Sequence, residues 1–414
     1  MSTARMRLIA AGSRGALIVC LGFLMSGCAT HRLNTARSDF YAGRLHEAEE
    51  TLESGSIPHR DRVLFLMERG TVRQAMGDYE GSSQDFIEAY DMLVELETYS
   101  ISRGAGSLVI NDNIRNFVGA PFERTLLHAL TAQNHLARGH WDDAAVEARR
   151  IIRSLSEDQR KNYPDEPYSR YIAGLALELI DDPSNAALQY RTADEILGRV
   201  QIDPDTGRLA HATPPENNNG TNDNHEAWPD PPPEPGNGPD EEWSNELVVF
   251  LQLGRSPRGG QPLGSGARRG SPYYAEIHAG DRYLGRSYLV SDTAQLKAET
   301  ERVRALREAA KTVGRIAAKE GIAVAVESQH NEWAGDLTRF ILFGLLEQPD
   351  VRRWETLPRW LHVARVPAPE DLSSYTVVVK DASGNTLRTY EVNAPIQRRQ
   401  NLLVSFFRDT PGGR

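Results

Sequence analysis

The sequence predicts an α+β protein with a helical N-terminal region and a mixed C-terminal region. From about residue 38 to residue 200 the chain is rich in Ala and Leu and shows helical periodicity. After residue 243, short β-type runs alternate with two longer helical patterns. The segment between the two regions is rich in proline and acidic residues. These three observations predict an α-helical solenoid, a linker and an antiparallel sheet with packed helices.

The start of the chain has the pattern of a secretory signal. Three arginines precede a short apolar run that leads to Ser26, Gly27 and Cys28. A basic segment, an apolar segment and small residues before a cleavage site are typical of a signal peptide. The Ser-Gly-Cys sequence resembles the bacterial lipobox, in which cleavage precedes the cysteine and its thiol is lipidated. We expect Cys28 to anchor the chain in a membrane, and secretion without an anchor is the alternative.

The expected anchor limits both the chemistry and the location of the protein. The sequence has two cysteines, of which Cys20 leaves with the signal and Cys28 carries lipid. No thiol is then left for catalysis or for a metal. Ala29 stands where Asp would retain a lipoprotein in the inner membrane under enterobacteria-like sorting, so we expect the periplasmic face of the outer membrane. The net charge of −10 argues against nucleic acid as a partner.

A repeated spacing of small and aromatic residues predicts paired helices. Three windows carry a small residue, a second one twelve positions later, and packing residues four and seven positions after that. This spacing is that of the tetratricopeptide repeat, in which small residues let two antiparallel helices approach. The windows are Gly70, Ser82, Phe86 and Ala89; Ala132, Ala144, Ala148 and Ile151; and Gly174, Ala186, Tyr190 and Ala193. We expect about three and a half stacked units, with a generic helical bundle as the alternative.

Two segments interrupt the helical pattern or follow it. Residues 98–122 are rich in glycine and polar residues and predict a long loop inside the stack. Between Pro214 and Trp243 the chain has eight prolines, eight acidic residues and no Lys or Arg. Such a composition cannot bury enough apolar surface to offset chain entropy, so it predicts a disordered, extended linker. The expected parts are a signal peptide (1–27), a lipidated tether (28–37), a helical domain (38–200), a linker (201–243) and an α+β domain (244–414).

The last 170 residues predict strands and two helices. An aspartate-bounded turn over 381–385 is expected to join two of the strands as a hairpin. Asp292 is expected to cap the first helix, whose apolar face includes Leu296, Val303 and Leu306. The predicted strands are 246–253, 273–277, 361–366, 375–380, 386–392 and 402–407, and the predicted helices are 292–319 and 331–347.

Charged and polar residues around the second full repeat form the candidate binding site. Glu123 opens one helix and Glu147 lies in its paired helix, so we expect the two carboxylates to approach across a groove. Two adjacent carboxylates can perform general acid–base catalysis, but salt bridges that order the stack or hold a peptide are commoner. The candidate groove residues are Asn111, Asp112, Glu123, Arg124, Glu147 and Arg150.

The sequence favours neither a metal nor a cofactor. His128 and His135 lie seven positions apart, whereas metal ligands on one helix are usually three or four apart. We therefore expect packing or surface roles for these histidines. A glycine-rich loop over 254–270 lacks the Lys-Ser/Thr pair of a phosphate-binding loop. Its arginines form a basic patch that is either solvated or able to meet the acidic linker, an acidic partner or lipid headgroups: Arg255, Arg258, Arg268 and Arg269.

Several blocks of sequence resemble a family of uncharacterised bacterial lipoproteins with tetratricopeptide-like repeats. The most distinctive block contains Trp354, Leu357 and Pro358, which we expect to pack helices onto the sheet. Relatives in that family are often encoded beside small lipoproteins that resemble activators of penicillin-binding proteins, so the resemblance implies a role around peptidoglycan. The blocks are 107–113, 121–124 with His128, 145–150, 289–292, 348–358 and 364–367.

These features predict a non-enzymatic adaptor at the inner face of the outer membrane. Its helical groove would bind an envelope protein, such as another lipoprotein or a peptidoglycan synthase, while the linker lets the C-terminal domain reach outward. One alternative is a peptidoglycan-directed enzyme, or a synthase activator, that uses Glu123 and Glu147. Another alternative is a structural part of a secretion-type assembly.

Overall fold

The computed structural model is α+β and contains three layers. One layer consists of helices, the second is a five-stranded sheet, and the third is a four-stranded sheet. One buried apolar cluster joins the helices to the five-stranded sheet, and another lies between the two sheets. The structure describes residues 31–55, 57–102, 116–212, 243–256, 273–307, 352–392 and 395–410.

The helices of the N-terminal region follow one another as antiparallel pairs. Gly77 and Gly139 adopt left-handed conformations, with φ of +83° and +71°, at two of the turns between paired helices. At these turns a side chain in place of the glycine hydrogen would strain the backbone. The helices are α1 (31–41), α2 (Leu45–Glu53), α3 (Arg62–Met76), α4 (Tyr79–Ser102), α5 (Pro121–Ala137), α6 (Trp141–Arg160), α7 (Pro167–Glu178), α8 (Pro183–Ile196) and, after the first strands, α9 (293–307).

Close glycine–aromatic contacts hold two of the helix pairs together. A Cβ atom added to Gly70 on α3 would lie 2.4 Å from the ring of Phe86 on α4. A Cβ atom on Gly174 in α7 would lie 2.7 Å from the ring of Tyr190 on α8. The contacting residues are those that the repeated spacing paired, so the predicted small-to-large contacts are confirmed at these two positions.

The strands form two large sheets and one small hairpin. The five-stranded sheet has the order β10-β11-β3-β7-β6 and the four-stranded sheet the order β5-β4-β8-β9. All their pairs are antiparallel except β11 with β3, which is parallel. The strands are β1 (Val200–Ile202), β2 (Leu209–His211), β3 (Asn245–Leu253), β4 (Tyr274–Ala279), β5 (Arg282–Arg286), β6 (Tyr288–Asp292), β7 (Trp360–Ala368), β8 (Tyr375–Lys380), β9 (Thr386–Val392), β10 (Gln397–Arg399) and β11 (Leu402–Arg408).

Strand β3 is the centre of the protein and is buried along its whole length. Val248 and Phe250 face the helical layer, whereas Val249 and Leu251 face the second sheet. Successive side chains of a strand point to opposite faces, so a continuous apolar run fits a strand covered on both sides. The helical region and the five-stranded sheet therefore share one core, in contrast to the separate units on a long linker that the sequence predicted.

Two predicted boundaries are wrong. Residues 31–37 belong to α1, where Leu33 and Ala36 are buried, so the tether predicted over 28–37 already contains folded chain. Residues 200–212 form the β1–β2 hairpin, in which Val200 and Ile202 are buried, so the linker does not begin at residue 201. Short strands carry too few residues for a clear alternation. The core of the predicted linker, residues 213–242, lies outside the described residues.

The C-terminal strands lie where the sequence predicted them, but their arrangement into sheets differs from the prediction. All six predicted strands are present, but they are divided between two sheets rather than joined in one antiparallel sheet. Asp292 caps α9 through its Oδ1, which accepts from the backbone N–H of Ala294 at 2.8 Å. Leu306 is 65 % exposed, so its predicted place on a buried face is wrong. The predicted helix 331–347 lies outside the described residues. Among the helices that the structure describes, none is long and apolar enough to cross a membrane.

Gly70→Ala tests the close approach of α3 and α4. The added methyl group must displace the Phe86 ring, and overpacking of this kind costs about 1–3 kcal/mol. Gly198→Ala is the matched control, because a Cβ atom there meets nothing within 4 Å. Urea unfolding should show a lower free energy of unfolding for Gly70→Ala and a change within about 0.5 kcal/mol for the control. Equal stabilities of the two variants would contradict the packing.

Candidate functional site

Glu123, a predicted groove residue, is buried and binds the backbone. Its side chain lies in the first turn of α5 and is 4 % exposed. Its Oε2 accepts from the N–H of Ala120 at 2.6 Å, and its Oε1 accepts from the N–H of Trp354 at 3.1 Å. The first bond satisfies an amide at the start of α5, and the second joins α5 to a segment 231 residues further along the chain.

Trp354 itself packs against the N-terminal helices. Its indole N–H donates to Thr71 Oγ1 on α3 at 2.9 Å, and its ring meets that of Phe86 edge-on at 5.7 Å. The structural role predicted for Trp354 is confirmed, but its described contacts are with α3, α4 and α5. Its predicted contact with the helix at 331–347 lies outside the described residues. Leu357 is also buried, and the carbonyl of Pro358 accepts from Thr293 Oγ1 at the start of α9.

Glu68 on α3 holds the residues that follow Trp354. Its Oε1 accepts from the N–H of Glu355 at 3.0 Å and its Oε2 from the N–H of Thr356 at 3.1 Å. Arg37 of α1 donates to the same carboxylate, from Nε at 2.8 Å. The Glu68 side chain is 1 % exposed and that of Arg37 is 9 % exposed, so this is a buried ion pair. We name Glu68, Glu123 and the bound residues 354–356 the buried clamp.

Polar contacts continue from the clamp across the face of α3, α5 and α7. The amide nitrogen of Gln252 on β3 donates to Gln74 at 3.0 Å and to Gln133 at 2.9 Å. Glu166, at the start of α7, accepts from the hydroxyl of Ser291 on β6. Arg365 on β7 donates to Glu178 at the end of α7 at 2.9 Å. The face predicted to form a ligand groove is therefore covered by the protein's own sheet and clamp.

Glu147 has a separate set of partners. Its Oε2 lies 2.8 Å from His128 Nδ1, and its Oε1 accepts from Arg150 at 2.6 Å. The guanidinium of Arg150 lies 5.0 Å from the centre of the Tyr90 ring on α4, and that ring meets the His128 ring edge-on at 4.6 Å. The expected approach of Glu123 to Glu147 is wrong, because His128, five residues beyond Glu123 on α5, is the residue that faces Glu147.

The remaining predicted site residues lie elsewhere. The positive charge of Arg124 stabilises the carboxylate of Asp158 on α6. Burial raises the pKa of Asp158, and the charge of Arg124 opposes that rise. Asn111 and Asp112 lie outside the described residues. In the basic loop, the guanidinium of Arg255 lies 4.0 Å from the ring of Tyr41. Arg258, Arg268 and Arg269 also lie outside the described residues.

The chemistry available to the two glutamates is limited by these partners. A general acid or base must lie within hydrogen-bond reach of the proton that it transfers. Glu123 directs both oxygens at backbone amides, and Glu147 directs its oxygens at His128 and Arg150. Both side chains are almost fully buried. In this conformation both residues serve the packing of the chain.

An exposed apolar surface lies beside the Glu147 cluster and was missed in the sequence. Ile87 is 36 % exposed, Val94 43 % and Val146 45 %. Ile87, Tyr90 and Val94 follow a helical spacing on α4, and Val146 and Arg150 lie four apart on α6. The contact between Arg150 and Tyr90 brings the two helices together. We name these five residues the α4–α6 face; the outward apolar periodicity of α4 is the signal that could have indicated it.

Comparisons with known proteins add no family to this picture. No protein-family model matches the sequence, and no curated protein shows significant similarity to it. The lipoprotein family therefore remains a prediction, and functional inference rests on the residues themselves.

Glu68→Gln tests the buried clamp. The change removes the closer of the two carboxylates that face the buried Arg37 and leaves Glu355 at 3.5 Å. Breaking a buried ion pair costs up to about 3–5 kcal/mol. Glu88→Gln is the matched control, since Glu88 pairs with Arg62 at 2.7 Å while both side chains are nearly half exposed. Urea unfolding should show the large loss for Glu68→Gln and a change within about 1 kcal/mol for Glu88→Gln. Similar losses in both variants would argue against a clamp.

Glu123 gives a pH-dependent test of the same region. Burial raises the pKa of Glu123 above its ordinary value of 4.5, although the amides of Ala120 and Trp354 oppose the rise. The folded protein then holds the proton more tightly than the unfolded chain, so this group's contribution to stability falls as pH rises from 4.5 through the raised pKa. Glu123→Gln lacks that fall.

Urea unfolding of both proteins between about pH 4 and pH 7 measures the effect. The free energy of unfolding of the wild type minus that of Glu123→Gln should fall by about 1.4 kcal/mol for each unit by which the pKa is raised. A difference that stays constant or grows with pH would contradict the assignment.

Proposed function

We propose that the protein is an outer-membrane lipoprotein that acts as a non-enzymatic adaptor and binds its partner through the α4–α6 face. The observation that carries the proposal is the exposure of Ile87 and Val94 on α4 and of Val146 on α6, the two helices that the Tyr90–Arg150 contact joins. Apolar side chains around an aromatic ring and an arginine are the composition of many protein-binding surfaces. The partner is an envelope protein, such as another lipoprotein or a peptidoglycan synthase.

The electrostatics of the α4–α6 face favour a protein over a strongly charged ligand. Glu147 lies 2.6 Å from Arg150 and offsets its positive charge. The face then offers mainly apolar contact, with Tyr90 half-buried at its centre. Single exposed apolar residues are ordinary on a protein surface. Three of them on two helices joined beside Tyr90 favour a contact site over scattered exposure.

We further infer that α3 to α8 are three tetratricopeptide-type helix pairs. The glycine–aromatic contacts of Gly70 with Phe86 and of Gly174 with Tyr190 support this, as do the turn glycines Gly77 and Gly139. In such a stack the first helices of the pairs line a groove. Here those helices, α3, α5 and α7, contact the clamp and the sheet. Among the described helices this leaves the second helices of the pairs, α4, α6 and α8, for a partner, and α4 and α6 carry the Tyr90–Arg150 contact.

The proposed anchor would hold the helical layer close to a membrane. Residue 31, where α1 is first described, follows Cys28 by three positions. Three residues span at most about 11 Å of extended chain. A lipid at Cys28 would therefore keep the helical layer at the membrane surface, which favours a partner that is itself anchored or embedded there.

A peptidoglycan-directed enzyme has less support than an adaptor. That alternative requires Glu123 and Glu147 to act together on a glycan, and the two residues have separate partners. Unchanged muropeptide turnover in cells that carry a folded Glu123→Gln/Glu147→Gln protein would agree with the adaptor, and loss of turnover would favour the enzyme.

Site-specific photo-crosslinking in intact cells tests the α4–α6 face. A photoreactive amino acid at Ile87 or Val146 should give the same discrete crosslinked protein, because both positions lie on one surface. The control position is Leu188 on α8, which is 50 % exposed but lies outside the face.

The pattern of crosslinks decides the proposal. A product from Ile87 and Val146 that is absent from Leu188 is the expected result, and Tyr90→Ala should reduce its yield several-fold because it removes the central ring. No product at either position, or an equal product at Leu188, would contradict the proposed face.

A further inference from the structure

Three side chains with metal-binding atoms meet at the turn between α5 and α6. His135 lies in the last turn of α5, His140 immediately precedes α6, and Asp143 lies in the first turn of α6. One ligand atom from each residue lies within 4.8 Å of those of the other two. Within this group, His140 Nδ1 and Asp143 Oδ2 lie 3.6 Å apart.

His135 is a buried histidine without a hydrogen-bond partner for its Nδ1 in the part of the chain that the structure describes. The residue is 8 % exposed, and one of its ring nitrogens belongs to the three-residue group. Buried polar atoms are almost always satisfied, and an unsatisfied one requires an explanation such as an ion. The ring of His140 stacks toward that of His135, with centres 6.4 Å apart.

The residue before α6 also differs from its counterparts in the neighbouring helix pairs. In the α3–α4 turn, Asp78 accepts from the N–H of Gly81 at 2.9 Å, and in the α7–α8 turn Asp182 accepts from the N–H of Asn185 at 3.4 Å. His140 occupies the same position and makes no capping bond. His140 does not cap the helix as an aspartate would, but it lies beside a second histidine and an aspartate. This placement suits a role other than capping.

We propose that His135, His140 and Asp143 form a binding site for Zn²⁺. Imidazole nitrogens and a carboxylate oxygen are common zinc ligands, and three protein ligands leave a fourth position for water or for a group from another molecule. Ligand atoms around tetrahedral zinc lie about 3.4 Å apart, so the His140–Asp143 separation already fits. The other separations, which are up to 4.8 Å, require these two exposed side chains to move closer to His135 when the ion binds.

The surroundings of the site are compatible with a cation. Arg138 is the nearest positive residue in sequence, and it lies 3.2 Å from Glu80 as an ion pair. The C-terminal end of α5, where His135 lies, carries the negative end of the helix dipole. The proposal stands apart from the adaptor function, since none of its three residues belongs to the α4–α6 face.

Calorimetric titration with Zn²⁺ tests the site. The mature protein, purified in detergent through a histidine-free tag, should bind one Zn²⁺ with micromolar or tighter affinity. His140→Ala and Asp143→Asn should each weaken binding at least tenfold. Asp142→Asn is the matched control, because it removes the same charge from an adjacent exposed position, and its affinity should stay within twofold.

The variants at His140 and Asp143 keep the test decisive. Their side chains are 44 % and 62 % exposed, so both proteins should retain the wild-type far-ultraviolet circular dichroism, whereas changing the buried His135 risks the fold. Co²⁺ in place of Zn²⁺ should give the visible absorption of a tetrahedral site in the wild type, and that absorption should be lost in His140→Ala. Absence of saturable Zn²⁺ binding, or equal affinities in His140→Ala, Asp143→Asn and Asp142→Asn, would overturn the proposal.

Discussion

The buried carboxylate of Glu68 is the interaction on which the rest of the structure depends. It accepts the amides of Glu355 and Thr356 and pairs with Arg37, so it joins α1, α3 and the segment that leads into β7. The free-energy cost of removing a charge from water must be offset by hydrogen bonds and an opposite charge. Removing one partner of a buried pair therefore destabilises a protein far more than replacing the whole pair by apolar residues. Once the clamp is formed, Trp354 lies between Thr71 and Phe86, and β7 is fixed against the helical layer.

This constraint explains why the protein is not two domains on a linker. In a helical stack of this kind the first helices of the pairs line a groove, and here Glu68, Glu123 and Glu166 on those helices bind residues 354–356 and Ser291 of the same chain. The buried face of β3 continues the same surface through Phe250 and Gln252. The surfaces that we propose for ligand binding then lie outside the groove. Both proposed sites, the α4–α6 face and the turn between α5 and α6, are of that kind.

The positions of helices and strands could be predicted from the sequence better than the tertiary contacts between them. Alternating and continuous apolar runs locate strands such as β3 and β7, but they do not reveal which sheet a strand joins. The chain passes from one sheet to the other at Ser287, whose backbone N–H donates a hydrogen bond to the carbonyl of Ala275 on β4. Glu123 and Glu147 were expected together because they lie on paired helices, yet the register of the pair places His128 opposite Glu147. The His135 group escaped notice because helical spacing was sought within one helix, whereas its ligands lie on both sides of a turn.

We infer that the helical layer and the five-stranded sheet form one cooperative unit joined by the clamp. Hydrogen exchange followed by mass spectrometry along a urea series tests it most directly, with peptides from α5 and from β7 as reporters. The two peptides should lose protection at the same urea concentration, because opening either layer exposes the core that they share. Loss of protection in β7 at a clearly lower urea concentration than in α5, or the reverse, would show that the layers unfold independently and would contradict the account.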